Sequence, residues 1–191
     1  MSPRTEIQFE EIRENRRKQI MDVALELFAD KDYNHTSISQ IAASAGISKG
    51  LMYNYFKSKD DLLINIFDDG MKSMFDLFDP NKDGVLTREE FIYFINESFD
   101  VMNRERKFWK LYFSLIMQPT VWVKLEKKYN EIISPLIQMM INYYKAKGSE
   151  KPEIEAMMVG ALLDGIGFNF VFNPDLFPLE KVKDMLIERF V

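Results

Sequence analysis

The sequence predicts an all-α protein of about nine helices, and three observations carry that prediction. Apolar residues recur at i, i+3, i+4 and i+7, the period of a helix that buries one face. No segment alternates with period 2 for long enough to be a strand. Capping residues and Gly or Pro breaks punctuate the chain at helix-length intervals. The expected division is a three-helix unit over residues 1–60 and a larger helical body over 61–191.

Composition narrows the function. Hydrophobic residues make up 47% of 191 residues and charged residues 29%, ordinary for a globular chain. There is no Cys, hence no disulfide framework and no thiolate metal site. With a single histidine, His35, and no nucleophile-base constellation, an enzyme is not expected. The polar N-terminus is no signal peptide. No apolar run approaches the roughly 20 residues that span a bilayer, so a cytoplasmic protein with no membrane partner is expected.

Residues 1–9 read as a loose arm. Residues 10–30 follow as an amphipathic helix with Ile20, Ala24, Leu27 and Phe28 on one face. Arg16, Arg17 and Lys18 on this helix are either a solvated face or phosphate contacts.

The stretch 36–59, TSISQIAASAGISKGLMYNYFKSK, reads as two short helices around a tight turn. Ser37 with Gln40 forms a capping box. Ile38, Ile41, Ala42 and Ala45 share a face, and Gly46 permits the turn. Ser48 starts the second helix, with Leu51, Met52, Tyr53 and Phe56 as candidate buried positions. Ser58 caps a further helix, with Asp61 in its first turn. Helix, Gly-containing turn and helix make a helix-turn-helix, which lays its second helix in the DNA major groove. Charge agrees. The net charge is -5, yet no carboxylate lies between Asp32 and Asp60, where Lys49, Lys57, Lys59 and His35 are found.

Thr36, Ile38, Ile41, Ala42, Ala45, Gly46, Ser48, Gly50, Tyr53, Tyr55, Phe56, Lys59, Leu62 and Leu63 together resemble the DNA-binding domain of the tetracycline-repressor (TetR) family. The resemblance spans roughly residues 10–64, and one departure is Asp32, where that family usually has Gly. It implies a transcriptional regulator, most simply a repressor, whose binding to double-stranded DNA is controlled by a small effector. Thr36 and Ser37 would approach phosphate at a helix N-terminus. Ser48, Lys49, Gly50 and Leu51 would open the recognition helix at the base edges. Tyr53, Tyr55 and Lys59 would contact phosphate, and Asn54 base or phosphate. Phe56 is expected in the core.

A helix is expected over 59–78, with Leu62, Leu63, Ile66 and Phe67 recurring along it. Residues 79–90, DPNKDGVLTREE, then satisfy the twelve-residue EF-hand calcium loop. Asp79, Asn81 and Asp83 take positions 1, 3 and 5. Gly84 makes the turn, Val85 offers a carbonyl, and Glu90 is the bidentate ligand. The same residues also suit a plain turn with Thr87 and Glu90 as a capping box. No cofactor is required by the turn reading, while the EF-hand reading brings calcium, and a calcium sensor or calcium-modulated regulator is the alternative function.

Further helices are expected over 87–103, 104–117, 121–144 (with Pro135 inside), 153–172 and 179–190. Aromatic and Met residues in this half line either a core or an effector pocket: Phe94, Met102, Trp109, Phe113, Met117, Trp122, Met139 and Phe168 are the candidates. The resemblance further implies a homodimer through 153–172 and 179–190. Gly160, Ala161 and Gly165 would allow close helix approach there, unless they serve packing within one chain.

Overall fold

A computed structural model of the chain describes residues 6–191. Among them are nine α-helices and no strand. The helices are α1 (Glu6–Lys31), α2 (Ile38–Ser44), α3 (Lys49–Met52), α4 (Lys59–Phe78), α5 (Arg88–Arg104), α6 (Arg106–Ile116), α7 (Pro119–Ala146), α8 (Pro152–Phe172) and α9 (Leu179–Phe190). The expected arm is helical from Glu6 onward; the first five positions lie outside the described residues.

Local chemistry sets the boundaries. Asp32 ends α1 in the left-handed region, at φ 70. Its carboxylate compensates by accepting from the Asn34 N–H at 2.8 Å, the local bond that makes this conformation tolerable for Asp. Ser37 and Gln40 close the capping box on α2, and Gly46 takes φ 67 in the turn. Ser48 caps α3 through the Leu51 N–H, and Ser58 accepts from the Asp61 N–H at the start of α4. Thr87 and Glu90 form the reciprocal box on α5. Pro119 opens α7, where its missing N–H is not needed. Helix α7 continues through Pro135.

The chain divides into two compact units. The first runs up to Asp69 and takes in Ser114–Leu125; the second comprises Gly70–Phe113 and Glu126–Val191. The division therefore falls inside α4, not near residue 60, and the turn between α6 and α7 belongs with the first unit. Ile20, Ala24, Phe28, Ile41, Ala42, Met52, Phe56, Leu62, Leu63 and Ile66 form the core of the first unit. In the second, Phe78, Leu86, Phe91, Ile95 and Phe99 pack with Met139, Met140, Tyr143, Ala156, Val159 and Leu186.

Helix α8 departs from the expectation of no bilayer-length segment. By length and composition alone it is apolar enough to cross a membrane. Its inner side, with Ala156, Val159, Phe170 and Val171, is buried in the second unit. Its outer side leaves Ile154, Met157, Met158 and Leu162 exposed.

Candidate nucleic-acid interface

The reading head is built from α1 to α3 and the start of α4, with α1 packed on α2 and α2 on α3. Helix α3 is only four residues long, so no full helical period sorts its side chains. Met52 and Phe56 turn into the core. Leu51 and Tyr53, expected inward, are exposed at 39% and 49%. They join Ser37, Ser48, Lys49, Gly50 and Asn54, all exposed. Tyr55 is half-buried. This outward face carries no carboxylate of its own, and it offers hydroxyls, an amide and an ammonium, the donors that phosphate and base edges accept.

Two residues chosen from the sequence turn inward instead. Thr36 is 1% exposed, and its hydroxyl donates to the carbonyls of Leu27 at 3.1 Å and Asp32 at 3.0 Å. Its side chain ties the end of α1, so its hydroxyl is engaged inside the head rather than presented outward. Lys59 is half-buried. Its Nζ donates to the carbonyls of Tyr33 at 2.8 Å and Thr36 at 2.9 Å. Burial lowers its pKa against the opposing pull of Asp60. Two of its three donors thus hold the α1–α2 turn. Arg17 is also engaged locally: it donates to Asn65 and lies 5.6 Å from the Phe56 ring centre.

A polar cluster under the head was not visible in the sequence. The buried Tyr33 hydroxyl donates to Asp60, and Lys124 donates to the same carboxylate at 2.8 Å. Burial, reinforced by Asp60, pushes the Tyr33 phenol well above its ordinary range. Burial alone would raise the Asp60 carboxyl, but hydrogen bonds from Lys124 and Tyr33 and the two ammonium charges outweigh it and hold the group low. Gln118 completes the cluster. It donates to the Phe28 carbonyl at 2.9 Å and accepts from the Tyr33 N–H at 2.9 Å.

The proposed effector residues divide. In the second unit Trp109 and Phe113 have ring centres 6.2 Å apart, and Phe113 and Phe168 5.9 Å. Met102 sits against Gly167, where an added Cβ would meet its sulfur at 3.3 Å. Among the described residues the buried Trp109 indole N–H has no hydrogen-bond partner. Phe94 instead packs against the buried core at Phe78, and Met139 is a member of that core. Met117 and Trp122 are exposed and fall in the segment that groups with the head. The sequence reading missed Asp164, the lone carboxylate in the apolar run of α8. It is open to water on one side, yet surrounding protein pushes its pKa up. Burial raises the Tyr129 phenol too, with the charge of Asp164 as a second cause.

Comparison with known proteins follows the same division. Residues 20–66 match the family described as bacterial regulatory proteins, tetR family. Residues 70–98 match the EF hand domain. The chain is 24% identical over 182 residues to the fatty acid metabolism regulator protein of Bacillus subtilis (strain 168), covering 91% of this chain and 92% of that protein. It is 50% identical over 50 residues to the HTH-type transcriptional regulator HbdR of Aromatoleum sp. (strain CIB), a match of 26% of this chain and 22% of that protein. The solved structure of the transcriptional regulator FadR from Bacillus subtilis in complex with stearoyl-CoA has a TM-score of 0.70 at 22% identity, over 91% of this chain and 97% of that one. At that identity the likeness is one of fold. Residues 20–66, with their helix-turn-helix geometry, are thus a DNA-binding domain of the tetR family of bacterial regulatory proteins, and the chain as a whole is similar to regulators that carry it.

Proposed function

We propose that the chain is a cytoplasmic repressor that binds double-stranded DNA as a homodimer and releases it when an apolar small molecule occupies the second unit. The observation that carries the DNA reading is the outward face of α2 and α3, where Ser37, Ser48, Lys49, Leu51, Tyr53 and Asn54 are exposed together. The test is DNA retention against salt. A log–log slope of several units follows from several phosphate contacts; a flat response would refute the reading.

Dimerisation is supported by the outer side of α8. Gly160 and Gly165 have nothing within 4 Å of an added Cβ among the described residues, so a neighbouring helix could approach α8 there. A two-fold partner would place two heads on half-sites about 34–36 Å apart.

The effector class is supported by Met102, Trp109, Phe113 and Phe168, which offer polarizable apolar surface and one buried unmatched donor. The relatives named for fatty acid metabolism and stearoyl-CoA point to a long-chain acyl thioester. Such a ligand acts only if it binds one setting of α4 better than another. Calorimetry with acyl-CoA of increasing chain length, paired with DNA retention, checks this. Absence of binding at every length would exclude the class.

A further inference from the structure

We propose that one face of α6 reads the polar end of an acyl chain, with the Trp109 indole N–H donating to the carbonyl oxygen and Arg106 and Lys110 facing the negative charge of the head. The assignment deepens the effector reading and rests on it.

Spacing sets the face. Arg106, Trp109, Lys110 and Phe113 stand at i, i+3, i+4 and i+7, one side of a helix. In order along the axis this side offers a cation, an N–H donor, a second cation and an apolar ring. Helix α8 lines the same strip. Phe113 lies 5.9 Å from Phe168, and Phe168 lies 4.6 Å from Phe172, between ring centres. The Lys110 ammonium is 5.8 Å from the centre of the Phe172 ring. The Arg106 Nε donates to the Val171 carbonyl at 3.2 Å, which holds the guanidinium at that end. Both cations are exposed, while Phe113 and Phe172 are half-buried. The strip is therefore apolar, partly open to water, and positive at one end.

Trp109 supplies the observation that points to a ligand. The residue is 2% exposed, and among the described residues its N–H is closed to solvent and has no acceptor. Its neighbours are rings: Phe108 and Tyr112 at 5.4 Å and Phe113 at 6.2 Å between centres. A ring face is a weak acceptor, and a buried donor left unmatched is costly. A ligand oxygen at this N–H removes that cost. To reach it the ligand must part Phe113 from Phe168, the two rings that the strip leaves partly open.

Charge fixes the direction. Asp164 stands one turn before Phe168 on α8, at i, i+4 and i+8 with Phe168 and Phe172. An anion at that end meets a carboxylate; at the opposite end it meets Arg106 and Lys110. The head therefore lies at Lys110, and the chain runs past Phe113 and Phe168. A free long-chain acid and its thioester share this chemistry, a carbonyl oxygen where an apolar chain joins a negatively charged head.

Three probes of one chain length test the assignment by calorimetry on the full chain: dodecanoate, dodecanoyl-CoA and S-dodecyl-CoA, the thioether that lacks only the carbonyl oxygen. Wild type binds the thioester about tenfold more tightly than the thioether. Trp109→Phe keeps a ring and loses the N–H; it weakens each acyl probe that binds by about tenfold and leaves the thioether unchanged. Lys110→Met keeps an apolar stem against Phe172 and loses the charge; it weakens dodecanoate by about threefold at low salt and less at high salt. The more tightly held of dodecanoate and dodecanoyl-CoA identifies the source of the carbonyl. The thioester-to-thioether ratio is read on wild type, so it holds even where Trp109→Phe fails to fold. Thioester and thioether bound equally by wild type would overturn the assignment and leave the effector reading standing, as would acyl affinity unchanged in Trp109→Phe. No binding of any of the three probes would overturn both.

Discussion

The ammonium of Lys59 lies 4.2 Å from the centre of the Tyr33 ring. The two residues are also joined by the Lys59 bond to the Tyr33 carbonyl. A cation over an aromatic face, with two carbonyls as acceptors, is a partly desolvated and well-matched arrangement. Lys59 is therefore first a structural residue of the head.

Replacing Lys59 with Ala leaves the Tyr33 and Thr36 carbonyls without their donor. The expected loss is about 1–3 kcal/mol of head stability, seen as a lower melting midpoint. Affinity for every DNA sequence falls with the folded fraction. An unchanged midpoint would return Lys59 to a purely DNA-facing role.

Lys49 gives the contrasting case. It is exposed at the start of α3 and makes no hydrogen bond or ion pair among the described residues. Lys49→Ala leaves the midpoint unchanged, changes sequence preference and, if Lys49 also meets phosphate, lowers the salt slope by about one unit. Selection from a random DNA pool with each protein checks the preference.

Much of the head was readable because its signals are local. The Ser37–Gln40 box, the Ser48 and Ser58 caps and the Gly46 turn each act within three or four residues. The Thr87–Glu90 box and the bounds of α4 and α9 were legible for the same reason. What was hidden depends on distant partners. Gln118 reaches Phe28 across 90 residues, and Lys59 reaches Thr36 across 23. Leu51 and Tyr53 misled because α3 is too short for periodicity to decide which side is inside. Phe94 and Met139 look no different in sequence from Trp109 and Phe113; only packing separates the core around Phe78 from the rings around Phe113.

Acid should loosen the head through Asp60. Its folded pKa lies below the ordinary carboxylate value, so the folded state releases this proton more readily than the unfolded one. The resulting stability is in force above about pH 4 and disappears as pH falls through the folded value. Tyr33 acts in the opposite range. Its raised pKa favours the folded state up to about pH 10, and that contribution is lost as pH rises further. Asp60→Asn should flatten the acid limb of a plot of melting midpoint against pH. An acid limb identical to wild type would place the sensitivity elsewhere.

Gly70 of α4 faces Tyr112 of α6. A Cβ there would stand 2.6 Å from the Tyr112 ring. That ring is 2% exposed and held by Phe108, Trp109 and Phe113, so it has little room to yield. Gly70→Ala is expected to destabilise the second unit by about 1–3 kcal/mol. Pairing it with Tyr112→Leu should recover part of that loss, because the larger ring is what the methyl meets. Strict additivity in the double-mutant cycle would show that the two positions are independent.

The outer side of α8 supplies the last test. Met157 is 64% exposed, and Ile154, Met158 and Leu162 beside it are exposed as well. A contiguous apolar strip of this kind marks an interaction surface, and in a two-fold pair each copy would cover the other's. Met157→Asp would place a charge in that contact, while in a single chain its side chain would remain in water. The variant should fold with a circular dichroism spectrum like wild type and sediment as a monomer at micromolar concentration, where wild type is expected to sediment as a dimer. Its affinity for a two-half-site DNA should fall far more than its affinity for a single half-site, because only the first depends on two heads being joined. Wild type sedimenting as a monomer under the same conditions would remove the dimer and, with it, the spacing between the two reading heads.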